Sequence, residues 1–424
     1  GGGGGDAGMV GRVAFLWILE FVRMGSKQVV PFTGDIVKLI FLGSGSERED
    51  VRKTADEVDL EMRKLVSTSI RESQEAWEED SGIDLLQVLG PVMEALTSPS
   101  STAVRLRGLS WLELVIGLID ISYSHKLTKI FLPALICTLA DEEHEVIRRA
   151  LRVVAQVSMK SGGEGLRGII RQMLSLFLAE KEKGNDLVGE RSGVIFKELC
   201  LLLDPEVVYL EIGKALEDFE DSEVATLLTE RLTMILLTVP EFADLRRKLL
   251  PSEQSATNAG ALLARANEAP NANGTAAIGG SDAAAAMEDG RHLFLALYQA
   301  WRRYPVSALA LCLLAGEYEK SSELVNVVAV DMRDKPGEWT LKMLLELDKL
   351  VQLIESPVFA PLRMRLLSPA EHPHLVKAMY GILMLLPQSE AFEVLRRRLK
   401  SVPTLALLSL NAVPARSSPQ LECP

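Results

Sequence analysis

Few residues in this chain have the types and spacing to do chemistry. The one close histidine pair, His372-Pro373-His374, could offer two imidazoles to a metal, but only Glu371 stands beside it. The intervening proline also keeps the two rings off a shared helical face, so a capped loop is the better reading. Glu78-Glu79-Asp80 gathers three carboxylates. They fall in a charged helix end, where solvation explains them better than acid–base work. Gly43-Ser44-Gly45-Ser46 lacks the lysine of a phosphate loop and reads as a turn. Neither a GxSxG elbow nor an HExxH pair occurs. Cys137, Cys200, Cys312 and Cys423 are far apart and form no CxxC, as expected of incidental or buried thiols in a reducing compartment. The expectation is a protein without enzymatic activity, cofactor or metal.

The elements that would have to position a site are helices. Of the 424 residues 48% are hydrophobic and only 5% aromatic, and leucine dominates, which suits helices better than sheets. The formal charge of −12 argues against a nucleic-acid partner, which needs a basic footprint. The opening GGGGGDAG has no secretory pattern, and the amphipathic run RVAFLWILEFVRM follows at once, as in a piece of a longer cytosolic protein. The most apolar stretch, LSWLELVIGLIDIS, is too short and too charged for a membrane span.

One device recurs: an apolar helix, a short polar turn, then a helix opening on Val-Arg with a small residue one turn later. It appears at Asp50, Val51, Arg52 and Ala55, at Val104, Arg105 and Gly108, and at Asp141, Val146, Arg148 and Ala150. A weaker copy holds Asp204, Val207 and Val208. The valines lie 53, 42 and 61 residues apart, near the period of helical-hairpin solenoids with loop insertions. In this pattern Asp or Ser caps the second helix, the valine packs on the first, and the small residue permits close approach. The arginine reaches a turn carboxylate of a neighbouring repeat. These residues resemble the HEAT repeat. Residues 47–80 carry 12 acidic and 6 basic side chains, with Val51, Val58, Met62, Leu65 and Val66 at helical spacing, so this reads as a helix with a solvated acidic face.

The composition breaks at 251–290, an Ala/Gly/Asn/Ser stretch that cannot offset its ordering entropy and reads as a flexible insert. HEAT-like repeats are therefore expected over 9–250, a C-terminal helical domain over 291–403 and a tail over 404–424. In the C-terminal block leucine-rich helices alternate with proline punctuation at Ser356-Pro357, Ser368-Pro369 and Pro387-Gln388-Ser389. Proline pushes the preceding residue out of the helical region, and serine can cap the next helix. Leu350, Val351, Ile354, Phe359, Leu362, Leu383, Leu386 and Phe392 form an apolar seam that is either domain core or a face for self-association. Residues 291–400 hold 15 Lys/Arg against 12 Asp/Glu. Arg302, Arg303, Arg363, Arg365, Arg396, Arg397 and Arg398 therefore either cap helices and lie over apolar surface or meet an acidic partner.

HLFLALYQAW, DKLVQLIESPVFAPLRMRLL and KAMYGILMLLPQSEAF, within His292 to Pro403, closely resemble the C-terminal domain of the Vac-fourteen family of HEAT-repeat vacuole-morphology scaffolds. WILEFVRM, IFLPALICTLADEEHEVI and ELCLLLDPE extend the likeness more loosely upstream. The resemblance implies an all-α, HEAT/armadillo-like α-α superhelix with a compact C-terminal helical domain. It implies a non-enzymatic, self-associating scaffold that bridges the phosphatidylinositol 3-phosphate 5-kinase and a Sac-domain phosphoinositide phosphatase, in support of phosphatidylinositol 3,5-bisphosphate synthesis. Such a protein is cytoplasmic and peripheral on endosome or vacuole membranes, held there through its complex. Asp331–Thr340 departs from the pattern as an extra loop. The alternative function is a HEAT-type transport adaptor that binds cargo peptides on a concave face.

Overall fold

The computed structural model describes residues 3–75, 85–98, 100–118, 130–219, 221–250, 279–334 and 337–402, and every regular element in them is a helix. The fold is all-α and HEAT-like. Two units are distinguished, Gly1–Ala215 and Leu216–Pro424, so the repeat block expected over 9–250 is shared between them.

The first unit holds α1 (Gly3–Gly25), α2 (Thr33–Ser44), α3 (Glu49–Glu75), α4 (Leu85–Thr97), α5 (Thr102–Leu118), α6 (130–137), α7 (His144–Glu182), α8 (Leu187–Leu202) and most of α9 (Pro205–Glu217). Helices α2 and α4 lie side by side in one layer, and α1, α3, α5 and α7 follow one another in the second. The recurring valines do what their spacing implies: Val51, Val104 and Val146 are buried. In the weakest copy the burial falls on Val208, while Val207 is 40% exposed. Close approach is needed at Gly43, where an added Cβ would lie 2.8 Å from the Ala55 Cβ and 2.5 Å from the Phe15 ring. Helix α7 is broken at Gly162 (φ 68°, ψ −166°), a backbone state open to glycine and little else.

The arginines of the repeats divide. Arg105 reaches Asp141 in the next turn, Nε to Oδ2 2.7 Å. Arg52 instead folds back onto the carbonyls of Ser46 and Glu47 in its own turn. The more exposed Arg148 lies 3.9 Å from Glu198. The acidic face of α3 is only partly solvated. Asp59 accepts from the Trp111 indole N–H (2.6 Å) and the Arg63 guanidinium (2.9 Å), and Asp56 pairs with Arg107.

The second unit holds α10 (Ser222–Thr238), α11 (Ala243–Leu249), α12 (Gly279–Trp301), α13 (Pro305–Ala315), α14 (Tyr318–Asp334), α15 (Glu338–Ile354), α16 (Ala360–Arg365), α17 (Pro373–Leu385) and α18 (Glu390–Lys400). Helix α13 starts on a proline, where the missing N–H costs nothing, and ends at Gly316 in the left-handed region (φ 77°). Every residue of α13 is buried, so the unit is built around it. Helices α14 and α17 pack closely at Gly381, where a Cβ would meet Val325 at 2.6 Å.

Residues 251–278 of the expected insert and the 404–424 tail lie outside the described residues. Helix α12 begins at Gly279, inside the stretch read as insert; Ala283–Ala286 supplies the strongest helix formers there. Most of the loop expected over Asp331–Thr340 is helical, and residues 335–336 of it lie outside the described residues. Helix α14 runs to Asp334 and α15 starts at Glu338, with Gly337 at φ 109° between them. No helix among the described residues is long and apolar enough to cross a membrane.

Candidate functional site

The proline-punctuated leucines of the second unit were the strongest sequence signal for a partner surface. Leu350, Val351 and Ile354 lie one turn apart or adjacent along α15 and are all buried. Phe359 follows in the 3-10 turn Pro357–Phe359 and Leu362 in α16, and both are buried too. Leu386 closes the set just past α17. These six residues are core. Leu383 and Phe392 are half-buried. The sequence could not separate them, because a core and an obligate interface ask for the same leucines. The apolar side chains that do face outward are others, chiefly Met384 (85% exposed) and Met364 (66% exposed).

The punctuation works unevenly. Ser389 caps α18, its Oγ accepting from the Phe392 N–H and donating to Asp348 Oδ1 at 2.7 Å. Ser356 precedes its proline but makes no cap, and its buried Oγ has no partner among the described residues. The neighbouring carbonyls are met by an arginine instead: Arg363 donates to the carbonyl oxygens of Ile354 and Ser356, the latter at 2.6 Å.

Of the seven arginines, Arg302 and Arg303 are exposed, and the other five divide by what they touch. Arg363 is spent on closing α15, where a cation also suits the helix C-terminus. Arg365 donates to the Tyr318 hydroxyl at 3.0 Å and lies over its ring, 5.5 Å from the centroid. Burial raises the Tyr318 hydroxyl above its usual range despite that cation. Arg398 grips Glu355 with two donors, one at 3.1 Å. Arg396 makes an exposed pair with Glu393 at 2.8 Å, a contact of the kind that contributes little. Arg397 is exposed and makes no hydrogen bond or ion pair among the described residues. Of the five, Arg397 and Arg396 are thus the ones open to a partner.

Sequence reasoning missed a cleft. Thr233, Met234 and Leu237 of α10, Ala310 of α13, and Leu350 and Leu353 of α15 wall a space of about 330 Å³, counting the part open to solvent. Two carboxylates enter it, Glu230 and Glu346. Lys349 pairs with Glu230 at 3.2 Å. Burial, and then Glu230, push Glu346 up to about 7. The signal was there: Glu346 lies three residues after Met343 and four before Leu350, on the flank of an otherwise apolar arc. The buried thiols Cys200 and Cys312 are likewise pushed up to about 12, which makes them inert.

These features define a HEAT-type helical-repeat protein. The family model described as vacuolar protein 14, C-terminal Fig4p binding, matches residues 185–402. The protein VAC14 homolog of Arabidopsis thaliana is 30% identical over 401 residues, covering 94% of this chain and 46% of that protein. The Schizosaccharomyces pombe VAC14 homolog is 29% identical, covering 95% and 44%. The vacuole morphology and inheritance protein 14 of Saccharomyces cerevisiae is 27% identical, covering 92% and 38%. The chain belongs to the vacuolar protein 14 family, and it spans less than half the length of these curated relatives.

Proposed function

We propose that this chain is the binding part of a non-enzymatic scaffold that holds a Sac-domain phosphoinositide phosphatase through its second unit. The observation that carries the reading is the family match over residues 185–402, whose description names Fig4p binding. On this reading the scaffold also engages the phosphatidylinositol 3-phosphate 5-kinase and self-associates. It thereby supports phosphatidylinositol 3,5-bisphosphate synthesis and endosome or vacuole homeostasis, as a cytoplasmic protein peripheral on those membranes through its complex. The side chains proposed to meet partners are those the fold leaves available: Arg396 and Arg397, and the half-buried Leu383 and Phe392 with exposed Met384.

The test is capture of a purified Sac-domain phosphatase by the full chain, with light scattering of the chain alone for self-association. Retention of the phosphatase with loss of about tenfold in affinity for Arg396→Glu/Arg397→Glu is the expected result, since reversing rim charges commonly costs ~1.4 kcal/mol or more. Failure to retain the phosphatase, or turnover of phosphoinositide by the pure chain, would overturn the reading.

A further inference from the structure

In the cleft of the second unit two carboxylates, Glu230 and Glu346, stand beside Lys349. Lys349 is three residues from Glu346, the spacing of a helical ion pair, yet it bridges to Glu230 on α10 at 3.2 Å. Glu346 is left without a hydrogen bond or ion pair among the described residues, beside Glu230 and next to Leu350 and Leu353. Ionised, it would add a second negative charge to a half-buried space with largely apolar walls, a placement that costs heavily without a partner. Neutral, it removes that conflict.

The charged groups that face Glu346 are Glu230 from α10 and Lys342 and Lys349 from its own helix; α13 contributes Ser307 to the wall but no ionisable group. We propose that this cleft is a proton-linked latch, in which protonated Glu346 lets α10, α13 and α15 close together and its ionisation beside Glu230 loosens α15. The helix so controlled is the one that carries Leu350, Val351 and Ile354 into the core.

The direction follows from linkage. Glu346 ordinarily titrates at 4.5 and in the closed cleft at about 7. The closed state therefore holds a proton that the open state releases across that interval. The stabilisation is full below 4.5 and gone once pH has risen through 7. One proton corresponds to about a tenfold change in the opening equilibrium per pH unit inside the window.

Amide exchange of the full chain, corrected for intrinsic rates, reads the opening of α15 directly. Between pH 5 and 7 the opening constant of α15 should rise by roughly fortyfold and level off above, the one-proton slope flattening as pH nears 7. Glu346→Gln should flatten the rise, and Glu230→Gln should move it to lower pH by removing the like charge and freeing Lys349. A ¹³C titration of the wild-type glutamate side chains, with the Glu346 signal assigned by its loss in Glu346→Gln, locates the group itself. Opening constants of α15 that keep the same pH slope in wild type and Glu346→Gln would overturn the proposal. So would a wild-type α15 whose opening does not vary over this range, or a Glu346 midpoint below 5.

Discussion

Trp111 in the first unit and Trp301 in the second are both almost completely buried, and their settings differ in kind. Trp111 donates its indole N–H to Asp59 at 2.6 Å and lies under the Arg63 guanidinium, 5.1 Å from the ring centroid. Around it runs a ladder of charges between successive helices: Arg107 to Asp56, Arg149 to Glu113 at 2.9 Å, and Arg105 to Asp141. Trp301 ends α12 and leads through Tyr304 into α13, whose eleven residues are all buried and of which Ser307 alone carries a polar side chain. Stacked hairpins each meet only their neighbours, and ion pairs between particular turns fix which helix follows which. A unit wrapped around one buried helix has less need of such registry, because shape and apolar area already specify it.

Breaking each unit at its own kind of joint sharpens the contrast. Trp111→Ala should have the largest effect, about 3–5 kcal/mol, since it opens a cavity and strips Asp59 of a donor. Urea unfolding of the full chain measures it, and Trp111→Phe should retain a good part of the loss in volume terms alone. In the second unit Gly381→Ala drives a methyl onto Val325 and should cost about 1–3 kcal/mol by overpacking. A neutral outcome there would mean that α14 and α17 can slide apart, contrary to a tightly specified core.

The same contrast marks how much could be read beforehand. The helical class and the hairpin valines follow from local rules that hold whatever the neighbours are. The division of apolar side chains between core and surface does not: Ile354 and Met384 both stand on apolar helices, and what the fold lays against each decides that one is buried and the other exposed. Charge partners were legible only in part. Arg105 to Asp141 obeys the repeat, whereas Arg52 finds nearer carbonyls in its own turn. Glu346 was hidden for a related reason: helical periodicity places it beside the core, but only α10 arriving with Glu230 makes the position hostile to charge.

Middle-sized effects should appear in the charged ladder. Asp141 is largely buried beside Arg105, so Arg105→Met leaves a carboxylate underpaired and should cost about 1–3 kcal/mol. The Arg167 hydrogen bond holds Glu211 below its ordinary 4.5, with Lys214 assisting against the opposing effect of burial. A lowered carboxylate contributes stability above 4.5 that is lost as pH falls through its folded value. Arg167→Gln should therefore destabilise the chain at pH 7 and diminish its further loss of stability in acid, seen as a shallower dependence of the melting temperature below pH 4.5. The acid sensitivity of this pair is opposite in sign to that of Glu346.

The smallest effects separate two serines that look alike in sequence. Ser389 caps α18 and donates to Asp348, so Ser389→Ala should cost about 1 kcal/mol, the usual value of a helix cap. Ser356 stands before a proline in the same way, yet its hydroxyl is buried without a partner, and Arg363 covers the carbonyls at that helix end. Deleting an unpaired buried hydroxyl removes a desolvation penalty, so Ser356→Ala should be neutral or stabilising by a few tenths of a kcal/mol. Paired denaturation curves of the two variants decide the matter. Equal losses would mean that the motif caps helices wherever it occurs; a loss at Ser389 alone would mean that the arginine, and not the serine, closes α15.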